Sequence, residues 1–259
     1  MVARTDEVTR ADGSTYRRAG TGPALVLVHG YLGGAAQWQN EFERLSDSFD
    51  VIAPDLPGYG NAAAAGCIDR IEGFAHHLAG LVDELGIGRF CLLGHSMGGM
   101  IAQEFAAQFS DRVEKLILYG TGPLGLMPDR FEPLDVSRRR LAEDGVACTI
   151  RRIGATWFRD GDAAPGFNLV ASLGAQAKEP AAQAGLDAMS HWDGRAALAR
   201  ISMPSLVLWG DGDQSYRWPQ VEALWRGLPD SKLAVIPGTA HAAHLEKSTL
   251  FQAVVRDFL

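Results

Sequence analysis

The sequence of 259 residues predicts a doubly wound α/β fold, a mostly parallel sheet covered by helices on both faces, with one helical insertion. Three observations predict it. Short, unbroken apolar runs alternate with stretches of helical periodicity for most of the length. The apolar runs end at Gly, Asp or Pro, as strands buried on both faces do. The alternation stops once, over about 70 residues, and then resumes.

In chain order the expected strands are 24–28 (ALVLV), 50–53 (DVIA), 90–93 (FCLL), 115–119 (KLILY), 205–209 (SLVLW) and 232–236 (KLAVI). Between the second and third, Ile71, Phe74, Leu78, Leu81, Val82 and Leu85 recur at helical spacing. After the third, Ile101, Phe105 and Phe109 do the same. This order implies right-handed crossovers. The run Ala62 to Ala65 reads as a loop or a helix start. From about Gly122 to Trp192 no strand is expected. Helical stretches there are punctuated by Pro123, Pro128, Pro133, Pro165 and Pro180, and they carry Arg138, Arg139, Arg140, Arg151, Arg152 and Trp157. The chain therefore divides into a first core part at 1–122, a helical cap at 123–192 and a second core part at 193–259. An insertion placed there covers the carboxyl ends of the strands, where open α/β sheets bind ligands.

With 47% hydrophobic and 21% charged residues the chain can bury a large core, which excludes disorder. Lys and Arg number 24 against 31 Asp and Glu, a net charge of −7, and no basic run exceeds three residues. Nucleic acid and anionic membranes need a positive footprint that is missing here. The expected partner is a small-molecule substrate, with a homo-oligomer left open. Cys67, Cys91 and Cys148 are odd in number without metal or disulfide spacing, which suits free thiols in a reducing compartment. The N-terminus is polar where a secretory signal is apolar, and the longest apolar runs are five or six residues. A cytoplasmic protein is expected. No His and acidic cluster has metal-ligand spacing, so no metal site is expected.

The chemistry concentrates at strand ends. Gly94-His95-Ser96-Met97-Gly98 follows one expected strand and opens a helix, the context of a G-x-S-x-G nucleophile elbow. Its glycines allow close backbone approach, and the helix N-terminus offers N–H groups to a developing oxyanion. A serine needs a base and an orienting carboxylate to become nucleophilic. Asp213 follows the strand at 205–209 and His241 the strand at 232–236, so both emerge at the same sheet edge as Ser96. The order Ser96, Asp213, His241 is that of one triad class. The Tyr31 N–H, after the strand at 24–28, is placed to join that of Met97 as an oxyanion donor.

On these motifs the sequence resembles the α/β-hydrolase superfamily with a helical cap, over nearly the whole chain outside the cap. His29-Gly30 matches its oxyanion-strand motif, Asp55 to Gly60 its D-x-P-G-x-G turn, and Gly94 to Gly99 its elbow. Residues 193–204 look like its return from cap to core. Gly210 to Asp213 matches G-x-x-D, and His241 with Glu246 matches H-x4-E. The resemblance implies Asp213 rather than Asp211 as the acid, and His241 rather than His244 as the base. It implies that His29 and His95 support the oxyanion loop and the elbow. His95, Trp157, Trp192 and His244 are the candidates for the substrate side, and Arg138, Arg151, Arg152 and His191 the remaining cap candidates.

Serine rather than aspartate at the elbow argues against relatives with a carboxylate nucleophile, such as haloalkane dehalogenases and soluble epoxide hydrolases. The expectation is a cofactor-free serine hydrolase of a small carboxylic ester or enol-lactone. The alternative is a carbon–carbon hydrolase of a vinylogous diketone from aromatic ring cleavage. Such enzymes usually carry Asn before the nucleophile and Trp after the histidine, where this chain has His95 and Ala242. A non-turnover ligand receptor, a cofactor-free oxygenase and an acyltransferase or perhydrolase are rival uses of the same fold.

Overall fold

The computed structural model describes residues 5–126 and 130–259, so Pro128 and the first four residues lie outside it. The strands are β1 (Asp6–Thr9), β2 (Thr15–Ala19), β3 (Ala24–Val28), β4 (Asp50–Asp55), β5 (Phe90–His95), β6 (Val113–Tyr119), β7 (Ser205–Gly210) and β8 (Ser231–Ile236). They form one sheet in the order β1-β2-β4-β3-β5-β6-β7-β8. β1 and β2 pair antiparallel, as do β2 and β4, and every later pairing is parallel. Six of the eight strands are those the sequence predicts.

Alternation along the strands explains the unbroken apolar runs. Val26, Val28, Ile52, Leu92, Leu116, Leu118 and Val207 face one core. They pack on α2 (Ile71–Glu84) and α3 (Met97–Gln108). Leu25, Leu27, Val51, Leu93, Ile117, Leu206 and Leu208 face the other. They meet α1 (Gln39–Leu45) and α9 (Ser248–Phe258). Successive side chains point to opposite faces, so a strand covered on both sides must be apolar at every position.

Two strands depart from expectation. The hairpin of β1 and β2 is absent from the sequence reading, because its runs DEVT and TYRRA lack apolar alternation. Partners elsewhere hold it: Arg18 makes a bidentate pair with Asp50 at 2.7 and 2.8 Å, and Thr15 Oγ1 donates to Asp55 at 2.7 Å. β8 is apolar, yet it is an edge strand with Val235 42% exposed, not one buried on both faces. The 62–65 run is entered by a single 3₁₀ turn, Gly60–Ala62.

Between β6 and β7 lie α4 (Leu134–Ala155), α5 (Phe167–Gly174) and α6 (Glu179–His191), with no strand among the described residues. A lone bridge, Leu124 to Asp193, closes the neck of this segment. α4 is two helices joined at Gly145, whose φ of 76° breaks the helical path. Buried Glu132 braces α4, accepting from Ser137 and Arg152 at 2.6 Å and pairing with Arg140 at 3.1 Å. Burial alone would raise its carboxyl, but these partners hold it below its usual value. Arg138 pairs with Asp187 on α6, and Arg151 lies over the Phe167 ring at 5.1 Å. Arg138 and Arg151 of the sequence reading thus tie the inserted helices to one another, while Arg140 and Arg152 hold Glu132 before α4. α7 (Trp218–Gly227) and α8 (Ala243–Glu246) complete the fold. No helix among the described residues is long and apolar enough to cross a membrane.

Candidate active site

β5 ends at His95 and α3 begins at Met97, leaving Ser96 to turn the chain alone. Its φ of 58° and ψ of −120° put a side chain where L-residues are rare, at a cost of about 1–3 kcal/mol. The reversal packs α3 so tightly that only glycine fits on either side. A Cβ at Gly94 would lie 2.2 Å from the Gly98 carbonyl oxygen, and one at Gly98 would lie 2.4 Å from that of Val28. The strained residue is pinned by its backbone: its N–H donates to Tyr119 O and its carbonyl accepts from Thr121 Oγ1, both at 2.9 Å. The side chain itself stays half-buried at the head of α3.

The loops after β7 and β8 bring Asp213 and His241 together. His241 Nδ1 lies 2.8 Å from Asp213 Oδ2, and both residues are buried. Asp213 Oδ1 accepts the N–H groups of Ser215 and Tyr216 at 2.7 and 3.1 Å. Donation from Nδ1–H fixes the tautomer that leaves Nε2 as the free acceptor. Gly120, at φ 52°, lets the end of β6 pass beside the pair; a Cβ there would stand 3.2 Å from His241 Nδ1. Asp211 is elsewhere, its Oδ1 accepting the Gly238 N–H at 2.8 Å. Glu246 accepts the N–H of Ala240 at 2.6 Å and of Arg159 at 2.7 Å. It thereby clamps the turn before His241 to the inserted segment, which gives the H-x4-E spacing a physical reason.

A buried polar layer supports the His241 backbone. Its carbonyl accepts from His95 Nε2 at 3.0 Å and from the Tyr119 hydroxyl at 2.7 Å. With its proton given there, Tyr119 accepts from His244 Nδ1 at 3.1 Å. Burial holds His95 well below the usual histidine range and brings His244 down to about 3, so both stay neutral. Burial likewise raises the Tyr119 phenol. The layer fixes the imidazole without adding charge beside it.

The loop after β3 faces Ser96. A Cβ at Gly30 would lie 2.9 Å from Ser96 Cβ and 3.4 Å from its Oγ. His29 Nε2 accepts the Leu56 N–H at 2.9 Å, so Nδ1 carries the proton and donates to Gly30 O at 2.8 Å. Burial keeps this imidazole neutral, bracing the loop against the 55–60 turn. The Tyr31 side chain leaves the site, donating to Ala182 O on α6 at 2.9 Å. Tyr31 directly follows Gly30 in this loop, and Met97 N–H is one of the first N–H groups of α3.

The family described as alpha/beta hydrolase fold matches residues 23–248. The chain belongs to that family. This α/β-hydrolase is 30% identical over 259 residues to the 2-hydroxy-6-oxo-6-phenylhexa-2,4-dienoate hydrolase of Comamonas testosteroni, across 94% of its own length and 90% of the relative's. Among solved structures it resembles a thermophilic esterase from Thermogutta terrifontis at TM-score 0.82 and 28% identity, covering 98% of this chain and 97% of that one. It also superposes on the enol-lactonase from Burkholderia xenovorans LB400 at TM-score 0.85 and 22% identity, covering 98% and 99%, a likeness of fold.

Of the substrate-side candidates in this α/β-hydrolase, Trp157 stands at the site, its ring 5.6 Å from that of His241. The other three are placed otherwise. Trp192 is buried at the neck, its indole N–H donating to Glu104 on α3 at 3.1 Å. His95 spends Nε2 on the His241 carbonyl, and its Nδ1 faces Gln37 at 3.4 Å, which leaves neither nitrogen for a substrate. His244 is buried against Trp38 and Tyr119. His191 is exposed and bonds its own helix at Asp187 O. Tyr119, Thr121 and Tyr216 were missed by the sequence reading. A tyrosine ending an otherwise aliphatic strand was the available signal for the first, since a buried hydroxyl needs partners.

Proposed function

We propose that this α/β-hydrolase is a serine hydrolase of a small carboxylic ester or enol-lactone, working through Ser96, His241 and Asp213. The observation that carries the reading is the buried Asp213–His241 pair together with a serine held in a strained turn at a helix N-terminus, its N–H bound to Tyr119, whose hydroxyl holds the His241 carbonyl. His241 Nε2 takes the Ser96 proton as Oγ attacks the carbonyl carbon. Asp213 holds the tautomer and offsets the imidazolium charge, while the N–H groups of Tyr31 and Met97 receive the oxyanion. The imidazolium then protonates the departing oxygen, and water deacylates Ser96 with His241 again as base. Residues 123–192 act as a cap over this chemistry, and the partner is a small molecule.

A fluorophosphonate probe tests the nucleophile. It should label the wild type and leave Ser96→Ala unlabelled, with turnover falling by about 10⁶ in that variant. Label that persists in Ser96→Ala defeats the reading. A second reading, hydrolysis of a carbon–carbon bond in an oxo-dienoate, is favoured by the similarity to the Comamonas hydrolase. Against it stand His95 and Ala242, where that chemistry usually has Asn and Trp. Comparing kcat/KM for an aryl ester or enol-lactone with that for a ring-fission diketone decides between them. Preference for the diketone by more than about 10²-fold, or roughly 2.7 kcal/mol in the barrier, reverses the ranking.

A further inference from the structure

We propose that Arg152 and Thr149 form a carboxylate-binding site in the inserted segment, which takes a carboxylate that the substrate carries away from its scissile bond. The substrate part of this proposal rests on the serine-hydrolase reading above. Arg152 donates to Glu132 through Nη1 alone, at 2.6 Å. Its Nε and Nη2 are buried and have no hydrogen-bond partner among the described residues. The buried Thr149 hydroxyl has none either, and it lies one turn earlier on the same side of α4. Nε and Nη2 carry the parallel N–H bonds of one guanidinium edge, the edge that matches the two oxygens of a carboxylate. This protein fills that edge so elsewhere. Arg18 grips Asp50 through Nε and Nη2 at 2.8 and 2.7 Å, and Arg195 grips Asp193 through the same two atoms at 2.8 and 2.5 Å. On Arg152 the edge is covered and unpaired, a costly state that a carboxylate relieves.

Glu132 has no oxygen to spare for it. Oε1 accepts from Ser137, and Oε2 takes both Arg140 and Arg152. Arg130 donates to the Glu132 carbonyl and to Ser137 Oγ, at 2.6 and 3.2 Å. Three guanidiniums thus surround one carboxylate, an excess of positive charge that suits an anion. Burial lowers the Arg130 guanidinium, as it does a cation that water solvates poorly. There is room to reach the cluster. The Arg152 side chain is 29% exposed, which lets the guanidinium turn its covered edge toward a ligand. A cavity of about 580 Å³, lined by Arg130, Pro133, Leu134 and Arg138, opens along the Glu132 segment. The same helix leads to the catalytic histidine. Thr149 precedes Trp157 by eight residues, about 12 Å of helix. Trp157 sets its ring 5.6 Å from that of His241, and its carbonyl accepts the Ala242 N–H at 2.9 Å.

The experiment compares kcat/KM for aryl monoesters of diacids of about four to ten carbons, a range that brackets this distance, with aryl esters of neutral acids of equal length. Wild type, Arg152→Lys and Thr149→Val are assayed, and calorimetry measures binding of the free diacids. The wild type should prefer the best diacid ester over its neutral counterpart by about 10- to 100-fold. Arg152→Lys keeps a charge for Glu132 but has no two-nitrogen edge, and should lose most of that preference. Thr149→Val should lower it by about 3- to 10-fold. The preference is a ratio within one variant, so general damage cancels from it; should the lysine variant not fold, the valine variant carries the test. A wild-type preference near one at every length overturns the substrate's carboxylate as the ligand. Diacid binding that Arg152→Lys abolishes would then assign the site to a separate carboxylate, and the lack of such binding overturns the site itself. A preference that neither variant lowers overturns it too. Failure of the wild type to hydrolyse either series or to take a fluorophosphonate label at Ser96 defeats instead the serine-hydrolase reading, and diacid binding then decides the site alone.

Discussion

Replacing Glu41 with glutamine should make this protein more stable, and increasingly so as pH rises. Glu41 lies on α1 with none of its surface exposed. Its Oε1 is 3.4 Å from Gln252 Nε2, and its Oε2 is buried with no hydrogen-bond partner. Burial pushes the carboxyl from 4.5 up to about 8, with Glu43 adding a smaller like-charge push. The folded state therefore binds a proton that the unfolded state has released between these two values. Stability falls with rising pH across that window, by about 1.4 kcal/mol per unit, and levels off above it. The full span is roughly 5 kcal/mol, comparable with the whole stability of a marginal domain. Glutamine reproduces the neutral acid in shape and cannot ionise. Urea denaturation of both proteins should give matching stabilities near pH 4.5, a gap of roughly 3 kcal/mol at pH 7, and a plateau above pH 8. Curves that run parallel across the window would refute the argument, because they would mean Glu41 is charged or solvated in the fold.

Asp213→Asn should cost about 10⁴ in turnover by presenting the wrong histidine tautomer. Asp211→Asn should cost far less, since Asp211 Oδ1 accepts the Gly238 N–H and the imidazole pairs with Asp213; steady-state kinetics of the two side by side checks this. Gly98→Ala should not yield folded protein, because its Cβ would lie within 2.5 Å of the carbonyl oxygens of Val28 and His29; far-UV circular dichroism and soluble yield test it.

The sequence by itself determined the sheet, because a strand sandwiched between helices must be apolar throughout, and such runs as ALVLV and KLILY have few other uses. It also determined where chemistry would gather, since parallel strands deliver Ser96, Asp213 and His241 to one edge whatever the intervening loops do. The glycines at 94 and 98 were legible for the same local reason: a strained turn leaves no room for a Cβ. Tertiary structure decided what depended on partners far away in the chain. The β1–β2 hairpin is polar and is held by pairings such as Arg18 with Asp50. Between two aspartates two residues apart, the choice of Asp213 rested on resemblance alone, and the folded loop supplies the contact, with Asp213 on the imidazole and Asp211 on the Gly238 N–H. His95 and His244 look like site residues in the sequence, yet the fold turns them into a neutral support for the His241 backbone. Tyr216 carried no signal in its spacing, because its ring meets that of His241 only when two strand ends converge. Local residue pattern is set by which faces are buried, but a site is set by distances between residues that the pattern does not relate.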